Sequence, residues 1–343
     1  MQGLTSRRAL AALRWFVIVV AVGGCSVRCD CGSGPAVHDG ADHSAGTRSP
    51  IDRIEWAFPD TPLGRLHAVV AVPAGAEKHE RLPVLIALHG QGESRREPAR
   101  GARGWIEDYR MPRALRRLFG PPLTADDFGG MVTAERLAEI NGALDLRPYR
   151  GLVVVCPYLP DRFWGAGQLR EARQYGDFLF ERLLPRVRRE VPSAGEKVGI
   201  DGVSLGGRAA LLVGLSRPRE LDAVGAMQPA LGEGDIELMR SLASQARKKD
   251  PSLRLRLLSS DSDHFLRATR ELSAAWRRAG LEHRLDVARG THSYEFNRGP
   301  GVFEMLLYHD RALRGEEYVQ RASFRTCGTA VSRARFFALS FAG

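Results

Sequence analysis

The 343-residue sequence predicts an α/β fold, a doubly wound and mostly parallel sheet flanked by helices. Three observations predict it. Strand-like and helix-like segments alternate from residue 51 onward. Two strand-like runs, Leu82–Leu88 and 151–156, are apolar almost throughout, as strands covered on both faces are. The residues that carry chemistry fall just past strand ends, where parallel strands share one sheet edge.

The elements follow in order. Trp56-Ala57-Phe58 and residues 66–72 read as strands joined through Pro62-Leu63-Gly64, a hairpin-like opening. Leu82–Leu88 is a buried strand ending at His89-Gly90-Gln91-Gly92, and 151–156 is a second. Cys156 is expected to be a buried residue of that second strand. Phe178, Leu179, Arg182, Leu183, Leu184, Val187 and Val191 keep the helical period, so 168–190 reads as helix, bent near Pro185. Strands are expected at Val198–Ile200, Ala223–Met227, 253–258 and 283–287, and helices near 236–246, at 265–279 and at 303–313. Residues 93–150 break the rhythm with short helical pieces at 112–119 and 134–140. They read as an insertion after the Leu82–Leu88 strand that shapes a substrate pocket. The catalytic domain is thus expected over 51–314, followed by a weakly patterned tail at 315–343. No internal repeat or second domain is visible.

Residues 1–24 read as an export signal: Arg7, Arg8 and Arg14, then an apolar stretch from Trp15 to Val22 too short to span a bilayer stably. The run Val22-Gly23-Gly24-Cys25 resembles a bacterial lipoprotein cleavage site, with Cys25 lipidated. The implied location is the cell envelope, periplasm or outer membrane, with a membrane lipid anchor; a plain secreted protein and an uncleaved anchor are the alternatives. Residues 25–50 lack large apolar side chains and read as a flexible tether. Cys29 and Cys31 are spaced wrongly for a zinc knuckle, and their pairing with Cys327 stays open. His38 and His43 lie in the tether and read as solvated.

The net charge of +10 invites a nucleic-acid reading, which the distribution opposes. Only Lys78, Lys197, Lys248 and Lys249 are lysine; the arginines are scattered, often beside Glu or Asp, with no basic stripe interleaved with aromatics. No nucleic-acid partner is expected.

Gly202-Val203-Ser204-Leu205-Gly206-Gly207 sits between a short apolar strand and a small-residue helix. In that setting G-x-S-x-G makes a turn so tight that its flanking glycines must lack a Cβ, and the serine hydroxyl is lifted clear of the sheet. Asp261, Asp263 and His264 follow a later strand, and Gly290-Thr291-His292-Ser293-Tyr294-Glu295-Phe296 follows the next. A serine hydroxyl needs a base, which His292 supplies, and a carboxylate that fixes the histidine tautomer. Asp261 and Asp263 compete for that place; Asp263 is preferred because an aromatic-led helix starts immediately after it. The oxyanion donors expected are the N–H groups of Leu205 and Gln91. His89 reads as a brace for the Gln91 loop. An Asp261/Asp263/His264 metal site is disfavoured for want of a fourth ligand.

These three motifs, in the chain order Ser…Asp…His, resemble the esterase D branch of the α/β-hydrolases, which includes feruloyl esterases and S-formylglutathione hydrolases. The resemblance covers roughly residues 60–312. It implies an α/β-hydrolase fold and a cofactor-free serine hydrolase with Ser204, Asp263 and His292 as its triad. The partner implied is a small-molecule or polysaccharide-linked ester. The same triad also serves acyl transfer to an alcohol and peptide cleavage, and a non-catalytic surface binding protein is a further alternative. Exposure of Trp105 or Trp164 over Ser204 would favour carbohydrate esters, and a long apolar groove would favour lipid-like acyl chains.

Overall fold

The structure, a computed structural model, describes residues 49–76 and 81–317. The expected signal, Cys25, Cys29, Cys31, His38, His43, Cys327 and all but the start of the expected tail lie outside the described residues.

Eight strands form one sheet: β1 (Ile51–Phe58), β2 (Leu66–Pro73), β3 (Leu82–Leu88), β4 (Val153–Pro157), β5 (Ala194–Gly202), β6 (Ala223–Met227), β7 (Arg254–Ser262) and β8 (Arg284–Thr291). Their order across the sheet is β1-β2-β4-β3-β5-β6-β7-β8. β1 and β2 are an antiparallel hairpin closed at Phe58 opposite Leu66, and β2 runs antiparallel to β4. From β4 through β8 every neighbouring pair is parallel. The helices used below are α1 (Gln91–Ser94), α2 (Met111–Phe119), α3 (Ala134–Leu146), α4 (Gln168–Asp177), α5 (Leu184–Glu190), α6 (Leu205–Ser216), α7 (Ile236–Lys249), α8 (Leu266–Arg278) and α9 (Val302–Ala312). This is an α/β-hydrolase architecture.

The two apolar runs do what their composition requires. All seven residues of β3 are buried. Because side chains alternate across a strand, Val84, Ile86 and Leu88 join one core while Leu85 and Ala87 join the other. β4 divides the same way, Val153 and Val155 against Val154 and Cys156. Cys156 is buried, and burial pushes its thiol pKa up. Among the described residues no helix is long and apolar enough to cross a membrane.

Three expectations change. The helical run from Gln168 to Glu190 is not simply bent at Pro185: a π-helical turn over Phe178–Leu183 separates α4 from α5. Pro185 has no N–H and its ring crowds the carbonyl four residues back, so a wider turn ahead of it accommodates the proline near the start of α5. Second, β7 runs on to Ser262 through Ser259 and Ser260, which the apolar pattern ends at residue 258. Both serines are fully buried, and their hydroxyls take partners from outside the strand. Third, residues 93–150 pack into the core as well as lining a cavity, with Phe128, Met131, Val132, Thr133, Arg136 and Glu139 beside Asp261. They form the β3-to-β4 crossover and bury Trp105, Tyr109, Met111, Leu115, Phe128 and Ile140 against the sheet. Burying an aromatic of this size stabilises by about 1.5–3 kcal/mol, so the segment is held by its own apolar side chains. It also contains more helix than expected, with short turns at Gln91–Ser94, Pro98–Gly101 and Gly104–Glu107.

Candidate active site

Ser204 stands between β5 and α6 with φ 57° and ψ −116°, a conformation that a residue with a side chain adopts only under constraint. The constraint is visible. Val203 N–H donates to Leu88 O at 3.2 Å and Ser204 N–H to Met227 O at 3.0 Å, tying the turn to the ends of β3 and β6. A Cβ on Gly202 would sit 2.5 Å from the backbone of Gly206, and one on Gly206 would sit 2.5 Å from Leu88 O and His89 O. The flanking glycines are therefore required by close backbone approach.

Around this turn the parallel strands deliver the other groups. Asp263 follows β7 and His292 follows β8. His292 Nε2 is 3.0 Å from Ser204 Oγ, and His292 Nδ1 is 2.9 Å from Asp263 Oδ1. Asp263 also accepts from Ser259 Oγ at 2.7 Å and from Phe265 N–H at 3.1 Å. Burial pushes its carboxyl up, but the bonds from His292, Ser259 and Phe265 outweigh that and hold it below the usual carboxylate range. The carboxylate is thus charged and pointed at the imidazole. Asp261 goes elsewhere: it is exposed and accepts from Gly290 N–H at 3.1 Å.

Gln91 and Leu205 are the first residues of α1 and α6, where a backbone N–H has no carbonyl within the helix to bond. His89 braces the Gln91 loop. Its Nε2 accepts from Leu159 N–H at 2.9 Å, so Nδ1 carries the proton and donates to Gly90 O at 3.0 Å. Burial lowers its pKa, consistent with a neutral ring.

Residues without a sequence motif complete the surroundings. Glu93, almost wholly buried, accepts from the hydroxyls of Tyr109 (2.5 Å) and Tyr294 (2.6 Å), while Tyr109 oxygen accepts from Gly90 N–H at 3.0 Å. One carboxylate therefore joins the Gln91 loop to the loop carrying His292. Arg208, buried in α6, clamps Asp235 with two 2.6 Å bonds, holds Phe163 O, and lies over the Trp164 ring at 4.9 Å. Trp105 is fully buried, whereas Trp164 is 42% exposed. Asp161 ties Trp164 Nε1 (2.8 Å) to the Gln91 side chain (2.9 Å), which places the indole beside the Gln91 loop.

Gln228, just past β6, is fully buried with φ 42°. Its amide donates to Ser260 Oγ at 2.7 Å and to Thr291 O at 3.0 Å, one residue before His292. The only available signal was position: Gln228 follows a strand at the same sheet edge as Ser204 and His292. Gln228→Leu should lower kcat about tenfold with little change in KM, since a lost buried bond costs about 1–3 kcal/mol and here displaces the base. Steady-state kinetics checks this; an unchanged kcat would remove Gln228 from the positioning role.

With this geometry in view, comparison with known proteins is informative. Residues 157–299, which include Ser204, Asp263 and His292, match the model of the esterase family, described as "Putative esterase". Among curated proteins none matches the sequence. Among solved structures, a ferulic acid esterase aligns at 18% identity and TM-score 0.55, covering 77% of this chain and 98% of its own. The S-formylglutathione hydrolase of Staphylococcus aureus aligns at 14% and 0.50, over 76% of this chain and 99% of its own. A fluorophosphonate-binding serine hydrolase of the same organism aligns at 13% and 0.53, over 76% and 99%. These likenesses show the fold. The fold is that of the α/β-hydrolases, and within it residues 157–299 match the esterase family.

Proposed function

We propose that the protein is an exported, lipid-anchored serine esterase that cleaves its ester through an acyl-enzyme on Ser204. The observation that carries this reading is the hydrogen-bonded line Ser204–His292–Asp263, at 3.0 and 2.9 Å, on a strained turn. His292 Nε2 takes the hydroxyl proton as Ser204 Oγ bonds to the ester carbonyl carbon. The carbonyl oxygen becomes an oxyanion facing the N–H groups of Gln91 and Leu205, each such donor being worth about 2.7–4 kcal/mol. Collapse breaks the bond to the alcohol oxygen, which leaves with the proton from Nε2. Water then repeats the sequence, and the acid is released. Asp263 keeps the proton on Nδ1 and stabilises the imidazolium.

The exposed Trp164, held beside the Gln91 loop, favours an ester carrying a ring, and we assign a carbohydrate-linked ester as the substrate class. The likeness to a ferulic acid esterase supports a small ester substrate. Export and anchoring rest on the Cys25 motif.

Fluorophosphonate labelling of fractionated cells tests the reading. Wild-type protein should carry one adduct, on Ser204, in a membrane band that detergent releases and whose N-terminal peptide bears diacylglycerol on Cys25. Ser204→Ala should remain unlabelled. Equal labelling of the variant would sink the nucleophile, and an unmodified Cys25 would sink the anchor.

A further inference from the structure

We propose that Asp263, His264 and His292 form a binding site for a divalent transition-metal cation of the Zn²⁺ type, and that occupancy switches ester hydrolysis off. Binding follows from the geometry alone; the inhibitory consequence rests on the reading of His292 as the base.

One donor atom from each of the three residues lies within 4.8 Å of the other two. The His264 and His292 rings face each other at 4.4 Å between centroids. Asp263 is buried, His292 is half-buried and His264 is exposed, so the group opens to solvent on the His264 side. Two imidazoles and a carboxylate are a donor set that zinc takes at about 2.0–2.2 Å, leaving one position open. Binding draws the exposed His264 side chain in toward the other two donors. Sequence put Asp261 in the group; the structure turns Asp261 away to Gly290 N–H and puts His292 in its place, on the Nδ1 side, with the fourth position left to solvent on the His264 side.

The metal stops the relay. Bound at Nδ1 between His292 and Asp263, it drives the ring proton to Nε2, which then donates to Ser204 rather than accepting from it. No proton is released in that tautomeric shift.

Isothermal calorimetry with zinc chloride, alongside hydrolysis of p-nitrophenyl acetate in a non-coordinating buffer, tests the site on the full chain. Wild type should bind Zn²⁺ and lose activity at micromolar metal, with recovery on adding EDTA. His264→Gln should keep its zinc-free activity and weaken both effects by about tenfold or more. Zinc held by the cysteine-bearing N-terminal segment would persist in the variant, so the His264-dependent part is the one that counts. Equal inhibition and binding in the variant overturns the proposal, as does a wild type that neither binds nor is inhibited at about 1 mM metal. If no ester is hydrolysed at all, calorimetry alone still decides the binding, and the failure then belongs to the esterase reading.

Discussion

Asp263→Asn should lower kcat for ester hydrolysis about 10⁴-fold, whereas Asp261→Asn should change it by less than about threefold. The two acids stand two residues apart, and the difference comes entirely from where they point. Asp263 Oδ1 accepts the His292 Nδ1 proton at 2.9 Å. Phe265 N–H and His292 share Oδ1 while Ser259 Oγ takes Oδ2. An asparagine is neutral and has one acceptor oxygen, so it no longer stabilises the His292 imidazolium or holds the proton firmly on Nδ1, and Ser204 loses its effective base. Asp261 bonds only local groups, Gly290 N–H and the Ser262 hydroxyl, and an asparagine oxygen can accept from both. Kinetics on p-nitrophenyl esters for both variants, with circular dichroism as a check on folding, decides the matter. A large loss in Asp261→Asn with a small one in Asp263→Asn would transfer the orienting role to Asp261.

Gly206→Ala should destabilise the fold by about 3 kcal/mol or more, among the larger effects open to a single methyl group. The new Cβ would meet Leu88 O and His89 O at 2.5 Å. Both are backbone atoms at the end of β3, and neither can rotate away. Relief requires α6 to move off β3, which carries Leu205 away from Gln91, so activity should fall with stability. Gly142→Ala is the matched control: it sits in α3 with nothing within 4 Å of the added carbon. It should stabilise the protein by about 0.5–1 kcal/mol through helix propensity. Guanidinium unfolding of the two variants measures both. A Gly206→Ala protein as stable as wild type would mean that the β3–α6 approach is looser than these distances.

Much of the fold was legible because apolar side chains report their own burial. β3 and β6 fall where their runs fall, and the helices after Ser204 and Asp263 begin where the turn residues end. The polar end of β7 was not legible. Ser259 and Ser260 read as loop because a hydroxyl carries no apolar signal; Ser259 bonds Asp263 in the turn that follows, and Ser260 bonds Gln228, which folding brings from the end of β6. Glu93 carries no local signal either: only folding brings Tyr109 and Tyr294 to its carboxylate. Trp105 and Trp164 were equivalent in sequence, and packing buried one and left the other exposed.

The sequence by itself determined the fold class, the tight turn at Ser204 and the candidate residues for its chemistry. Those features depend on short-range rules: periodicity, glycine at a crowded turn, and residue types fit to move a proton. Only the tertiary structure decided which carboxylate faces His292, which buried polar groups brace its loop, and that His264 stands against it. Those choices depend on distances of about 3 Å between residues far apart in the chain, and no local pattern encodes such distances.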